Sequence, residues 1–346
     1  METIKTLTIA ISSYQRKEAV VRLISALDDQ ARSAPADWEG IDVLVVIDGS
    51  TDGSAEALAH LLPLFPFQVI TQPNCGLATA RNTCLEHAKG ELIYFLDDDL
   101  VPAEGTVLRH RHALRDQRAQ MVLGPCLIPP GLAAPDLTRR WWDQRYRELA
   151  EKEVIDRFDR FSIANCSGLT EKFRSVGGFD AGFVGYGLED HEIGLRLMKA
   201  GVFERYDEQA VAWHYNTADR HLAVARNRET GRNAVRLLKT HPDAAAVLFP
   251  DGYNGPGPWL LDHLHLRSPR LLGAVALLAE WLAGGAKRGP DRVEDNLWWL
   301  ALAAAHAAGV ADLDRSLVPS SLGRPSRRTS GRLSHRPPGS SSERTG

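Results

Sequence analysis

Over its first 130 residues this chain alternates short, wholly apolar runs with longer stretches of helical period, and few architectures accept that pattern. Residues 7–11, 41–47, 67–71, 91–96 and 120–127 read as strands rich in β-branched and large apolar side chains. Between them lie residues 17–30, with Val20, Leu23, Ile24 and Leu27 on one face, then 54–62, 77–88 and 105–116, all read as helices. Gly90 follows the third helix as its expected C-terminal cap. Strands apolar on both faces must be covered on both faces. The expected fold is therefore α/β, a mostly parallel sheet flanked by helices. Ligands of such sheets bind beyond the carboxyl ends of the strands. The polar residues just after the apolar runs should therefore share one cleft: Ser12 and Tyr14, then Asp48, then Asp97, Asp98 and Asp99.

The second half is less regular. Residues 129–160 carry Trp141 and Trp142 in a charged segment that reads as a helix able to cover the cleft, or to pack as core. Glycines 177, 178, 185 and 187 follow among aromatics. Residues 190–200 read as a helix ended by Gly201, and 203–214 as two short strands or a hairpin. The helix expected at 222–239 repeats Arg226, Arg228, Arg232 and Arg236 on its polar face, either a solvated face or a contact for an anionic acceptor or lipid headgroup. Further helices are expected at 270–283 and 291–308, and the Ser-, Arg-, Pro- and Gly-rich tail from Ser320 should be disordered. This divides the chain into a catalytic domain at 1–218, a helical C-terminal extension at 219–315 and a disordered tail at 316–346.

Composition removes several functions. Among 346 residues, 44% are hydrophobic and 25% charged, enough for a packed core, and the formal net charge is −3. A near-neutral chain has no global attraction to nucleic acid, so none is expected as a partner. Cys75, Cys84, Cys126 and Cys166 contain no Cys-x-x-Cys pair, which argues against structural zinc and a disulfide framework and fits a reducing cytosol. The first 14 residues read as a strand and not as a signal peptide. The most apolar later stretch, 271–284, contains Glu280 and falls short of the about 20 apolar residues that span a bilayer. A cytoplasmic chain is expected, touching the inner face of the membrane at most peripherally.

The aspartate triplet is the sharpest local feature. Three carboxylates at a strand end repel one another unless a cation neutralises them, and Mg²⁺ or Mn²⁺ takes such oxygen ligands together with phosphates. In an extended segment Asp97 and Asp99 would face one site, with Asp98 turned aside or bound to a ribose hydroxyl. The run Gly76-Leu77-Ala78-Thr79-Ala80-Arg81-Asn82 followed by Gly90 to Asp99 resembles family 2 glycosyltransferases. So do Ser12-Ser13-Tyr14, the acidic loop Asp48 to Ser54, Gly177-Gly178-Phe179-Asp180 and Glu189-Asp190, in that order, so that the resemblance covers residues 5–215.

The resemblance implies a GT-A fold, a nucleotide-binding sheet with a D-x-D metal motif, and an inverting transfer of sugar from a nucleotide-sugar, on the usual pattern a UDP-sugar. Ser12 and Tyr14 would belong to the nucleotide loop. Asp48 would bond the base, although Ile47 stands where the family usually has a second acid. Asp97 and Asp98 would contact the ribose or, for Asp97, the metal; Asp99 would be the main metal ligand and His214 a further one, unless it is structural. Arg81 would lie by the nucleotide or pair with an aspartate. Asn165, Cys166 and Ser167 would contact the donor sugar or close a turn. Asp190 is the candidate base for the acceptor hydroxyl, with Glu189 as its substitute. The plain alternative for both is favourable charge at a helix N-terminus. The acceptor is open among glycans, lipid-linked sugars and small molecules. Two other functions fit the same outline. A sugar-phosphate nucleotidyltransferase would need a Gly-rich basic loop after the first strand, which 12–17 lacks. A non-catalytic sugar-nucleotide-binding protein would need none of the candidate base.

Overall fold

The computed structural model describes residues 6–115, 120–132, 145–151, 154–155, 157–215 and 220–244. Trp141, Trp142, the helices expected at 270–283 and 291–308 and the tail from Ser320 lie outside the described residues.

The regular first third folds as its pattern requires. Strand β1 (Leu7–Ser13) lies between β2 (Ile41–Asp48) and β4 (Leu92–Leu96), both parallel to it, and β3 (Phe67–Gln72) continues the parallel run beyond β2. Every residue of β4 is buried, and β1 and β2 are buried along nearly their whole length, because helices cover both faces. Helix α1 (Lys17–Ser33) buries Val20, Leu23, Ile24, Leu27 and Ala31, the stripe expected from the 3.6-residue period. Helices α2 (Ser54–Ala59) and α3 (Leu77–His87) fill the next crossovers, α3 burying Ala78, Ala80, Cys84 and Leu85. Gly90 does not cap α3, which ends at Ala88. A side chain there would collide with the backbone of Thr8 and Leu92, so the glycine lets two strands approach.

After β4 the chain departs from simple alternation. Strand β5 (Leu100–Pro102), helix α4 (Thr106–Arg115), β6 (Met121–Leu123) and β7 (Cys126–Leu127) follow. Residues 120–127 therefore form two strands and not one. Gly124 has no room for a side chain beside Asn165 and Ala210, and Pro125 has no N–H for the ladder, so the chain leaves one sheet for another there. Residues 145–150 are helical (α5), and β8 (Val154–Ile155), β9 (Asn165–Leu169), α6 (Thr170–Ser175), α7 (Glu189–Lys199), β10 (Glu204–Tyr206), β11 (Ala212–His214) and α8 (Arg220–Thr240) complete the described part. The large sheet has the order β3-β2-β1-β4-β9-β6-β10-β8, with β9 antiparallel to both its neighbours. A small sheet has the order β5-β11-β7. The two strands expected within 203–214 thus exist but do not pair as a hairpin, since β10 belongs to the large sheet and β11 to the small one.

Buried β9 corrects another expectation. Asn165, Cys166 and Ser167 have no solvent exposure and cannot line a donor cleft or close a turn. Asn165 accepts from the Tyr94 hydroxyl at 2.6 Å, contacts His110 Nε2 at 3.0 Å and donates to the carbonyls of Pro125 and Ala210. His110 Nδ1 meets the Ser167 hydroxyl at 2.8 Å. Burial pushes the His110 imidazole down to about 4, so it sits neutral in this satisfied polar cluster. A second apolar cluster, separate from the main core, joins Phe158, Phe183, Leu188 and Leu195 to Ala234 and Leu237 of α8. No described helix is long and apolar enough to cross a membrane.

Candidate active site

The carboxyl ends of β1, β2 and β4 carry Ser13, Asp48 and the aspartate triplet, as the sheet rule requires. The triplet itself is not extended. Leu100 N bonds Asp97 O at 3.1 Å, so residues 97–100 make a turn and the expected alternation of side chains fails. Asp97 is held instead by Arg81, and Asp98 and Asp99 are both held by Arg16. Arg16 Nη1 lies 2.7 Å from Asp98 Oδ1 and 2.7 Å from Asp99 Oδ2, with both carboxylates almost fully buried. Burial opposes the Arg16 charge, but the two carboxylates outweigh it and hold it more firmly protonated than usual. Burial pushes Asp98 up to about 7 against the pull of Arg16, and Asp99 adds to that rise. The Ser13 side chain adjoins Asp98 and favours its charged form.

Arg16 carried no signal in the sequence beyond the demand of three carboxylates for a cation. Its placement depends on a long-range tie. Gln15 adopts φ +53°, its N–H donates to Ser50 Oγ at 2.9 Å and its side chain donates to Thr51 at 3.0 Å. Lys17 N donates to Asp52 Oδ2 at 2.9 Å. The loops after β1 and β2 are thereby bound together, and Arg16 between these contacts is turned toward β4.

Asp48 is buried, and its carboxylate accepts from Gln72 Nε2 at 2.7 Å, Cys75 N at 2.9 Å and Gly76 N at 2.9 Å. It therefore organises the loop that enters α3. Ser12 is partly buried with its hydroxyl 3.7 Å from Cys84 Sγ, while Tyr14 is about half exposed at the mouth. Arg81 projects from α3 and is buried between Asp97 Oδ1 at 2.9 Å and Glu189 Oε1 at 2.8 Å. One guanidinium thus joins the end of β4 to the start of α7.

His214 comes to the triplet through the small sheet. Strand β11 pairs antiparallel with β5, setting His214 opposite Leu100, and Tyr215 N donates to Asp99 O at 3.0 Å. The His214 Nε2 then lies 3.4 Å from Asp99 Oδ1. At the start of α7, burial and the neighbouring Asp190 push Glu189 up to about 7, with Arg81 pulling the other way. Asp190 Oδ1 accepts from His191 N at 2.8 Å, and its side chain keeps partial exposure. Leu188, just before, holds φ +72° although it is not glycine. Such a conformation costs on the order of 1–3 kcal/mol and persists only where the surroundings impose it.

Five carboxyl groups, Asp97, Asp98, Asp99, Glu189 and Asp190, therefore meet at this end of the sheet, and Asp97, Asp98, Asp99 and Glu189 are paired with two guanidiniums. The excess of negative charge and the oxygen and imidazole donors of Asp97, Asp99 and His214 suit a hard divalent cation. Among the described residues no group of three or more such side chains is already arranged around one point.

Two arginines expected on a solvated face of α8 are engaged instead. Arg236 makes two bonds to Asp180, and the Arg226 guanidinium lies 4.6 Å from the centre of the Tyr186 ring.

This architecture is that of the GT-A glycosyltransferases. A mannosyltransferase, PcManGT from Pyrobaculum calidifontis, solved with GDP-Man and Mn2+, superimposes with a TM-score of 0.59 at 19% identity, covering 90% of this chain and 88% of that one. S. aureus TarS 1–349 in complex with UDP gives 0.51 at 13% identity, covering 88% and 89%. At such identities these likenesses establish the fold alone. Residues 8–171 match the family model of glycosyl transferase family 2, and residues 143–218 match that of the N-terminal domain of galactosyltransferase. The core of the chain is a family 2 glycosyltransferase domain. Validoxylamine A glucosyltransferase of Streptomyces hygroscopicus subsp. limoneus is 28% identical over 273 residues, 70% of this chain and 58% of the relative. The uncharacterized glycosyltransferase YfnE of Bacillus subtilis (strain 168) is 24% identical over 259 residues, 60% of this chain and 64% of the relative. The chain thus spans about three fifths of the length of the curated relatives it matches.

Proposed function

We propose that this chain moves a glycosyl group from a nucleoside-diphosphate sugar to an acceptor hydroxyl, in one displacement that inverts the anomeric carbon. The observation that carries the reading is the meeting of Asp97–Asp99, His214 and Glu189–Asp190 at the carboxyl end of one sheet. The donor's nucleotide would lie along the ends of β1 and β2, near Ser12, Tyr14 and the loop that Asp48 organises, with Asp98 near the ribose. Asp99 and His214, with Asp97, would hold a divalent cation, Mg²⁺ or Mn²⁺, whose chemistry there is to stabilise the charge of the departing diphosphate. Arg81 keeps Asp97 and Glu189 in register and neutralises part of their charge.

Asp190 is the proton acceptor. It is partly exposed, whereas Glu189 is buried and engaged by Arg81. As the acceptor oxygen bonds to the anomeric carbon, the sugar–diphosphate C–O bond breaks and its electron pair leaves with the nucleoside diphosphate. The hydroxyl proton passes to the Asp190 carboxylate. Tyr186, about half exposed with the Arg226 guanidinium against its ring, would present a flat face to the acceptor. We read the chain as cytoplasmic, consistent with the four free cysteines Cys75, Cys84, Cys126 and Cys166. A UDP-sugar is the expected donor, although structural relatives were solved with UDP and with GDP-Man.

Calorimetric titration with UDP, GDP and dTDP, each with and without Mn²⁺, tests the reading. Binding of one nucleotide that requires the ion supports it and names the base. Absence of binding to all three would overturn it.

A further inference from the structure

Both family matches end before α8, at residues 171 and 218. Yet the loop that delivers the candidate base is held chiefly by that helix. Tyr186 N donates to Glu229 Oε2 at 2.8 Å. Asn233, only 5% exposed, donates from Nδ2 to Gly187 O at 2.8 Å and to Tyr186 O at 3.3 Å, and the Thr230 hydroxyl reaches Tyr186 O at 3.4 Å. Arg236 bonds both oxygens of Asp180 at 2.9 and 2.8 Å. The approach leaves little room at the two glycines of the loop, both of which hold positive φ. A Cβ on Gly185 would stand 2.9 Å from Glu229 Oε2, and one on Gly187 2.8 Å from Thr230 Oγ1. The next residue, Leu188, holds φ +72° with its side chain packed among Phe158, Phe183, Leu195, Ala234 and Leu237. It is also the N-cap of α7, so its backbone direction sets where Glu189 and Asp190 begin.

We propose that α8 is a positioning element of the active site, with Glu229 and Asn233 fixing the 185–188 loop in the conformation that aims Asp190 at the acceptor hydroxyl. The inference rests on Asp190 as proton acceptor. Polar side chains on α8 bond backbone groups of the loop, and without these partners the same groups would turn to water and the loop would lose its fixed conformation. The packing of Leu188 then holds a backbone state that a leucine rarely adopts. The functional unit accordingly takes in α8 and does not stop at 218, where the sequence had put the start of a separate extension.

The test uses the full chain with Asn233→Ala, Glu229→Ala and Glu229→Gln. Three quantities are read: amide hydrogen exchange of residues 185–190, nucleoside diphosphate affinity, and kcat and KM for transfer. The expected result for Asn233→Ala and Glu229→Ala is faster exchange across 185–190, about tenfold or more lower kcat, and unchanged nucleotide affinity and donor KM. Glu229→Gln keeps an acceptor oxygen for Tyr186 N and should restore most of kcat. Unchanged exchange in both alanine variants would overturn the clamp. Faster exchange with unaltered kcat would overturn its role in positioning. If the wild-type chain transfers no sugar, the reading of the site fails and the positioning role falls with it, while the exchange comparison separately decides whether α8 holds the loop.

Discussion

The region from β1 to β4 and the region from β9 to α8 hold their charges in different ways. In the first, acids at the strand ends are tied by guanidiniums: Arg16 across Asp98 and Asp99, Arg81 on Asp97 and on Glu189 beyond it. In the second, Glu204 lies buried on β10 with a thiol, Cys166 Sγ at 3.2 Å, as its hydrogen-bond partner at Oε1 and, among the described residues, none at Oε2. Burial pushes that carboxyl up to about 8. The first region keeps charge in place for a ligand to meet. The second keeps Glu204 protonated inside the sheet, and uses other polar groups, the Arg236–Asp180 pair among them, to hold a loop. On the proposed function, charge is concentrated on the donor side and loop geometry on the acceptor side.

Four substitutions test that contrast, beginning with the largest expected effect. Asp190→Asn should lower transfer by about 10²–10⁴-fold, the span of general-base catalysis, with nucleotide affinity unchanged. Near-normal turnover would move the proton acceptor and merge the two roles. Next, Arg81→Met removes the link between the regions and strands Glu189 beside Asp97. Breaking a buried pair this way costs about 3–5 kcal/mol, here at the lower end because Asp97 is 37% exposed. Urea unfolding would measure it, and an unchanged midpoint would mean the bridge contributes nothing.

Third, Asp99→Ala should weaken ion-dependent nucleotide binding by about 100-fold, the upper end of the range seen when only a ligand's supporting partner is lost. Calorimetry with and without Mn²⁺ reads it, and equal affinities would remove Asp99 from the ion site. The smallest effect is the pH dependence carried by Glu204. Between its ordinary pKa of 4.5 and about 8 the folded chain holds a proton that the unfolded chain has lost. Stability therefore falls as pH rises through that window, at about 1.4 kcal/mol per unit. His110, pushed down to about 4, works in the opposite sense below 6.5. The interval from 6.5 to 8 is thus the clearest one. Glu204→Gln should flatten the slope there relative to the unmodified chain, in which Asp98 and Glu189 contribute equally to both. Identical slopes would show that Glu204 ionises freely in the fold.

Much of this was written in local pattern. Apolar runs and helical stripes determined β1 to β4 and α1 to α3, because a side chain's burial there depends on its neighbours at two, three or four residues. The same rule put Asp48 and the aspartate triplet at strand ends, and ordered motifs pointed to family 2 glycosyltransferases before any contact was known. Tertiary structure decided the rest. Asn165-Cys166-Ser167 looks like a turn in sequence, yet it is a central strand, because His110 and Tyr94 from distant elements satisfy its polar groups. Nothing local brings Arg16 across 82 residues to Asp98, or sets His214 by Asp99 through pairing with β5. The glycines before Glu189 signal a tight loop, but only α8, some 40 residues later, fixes which conformation that loop takes. Such contacts depend on where whole elements pack, and a polar side chain can be satisfied by whichever partner the fold brings within hydrogen-bond reach.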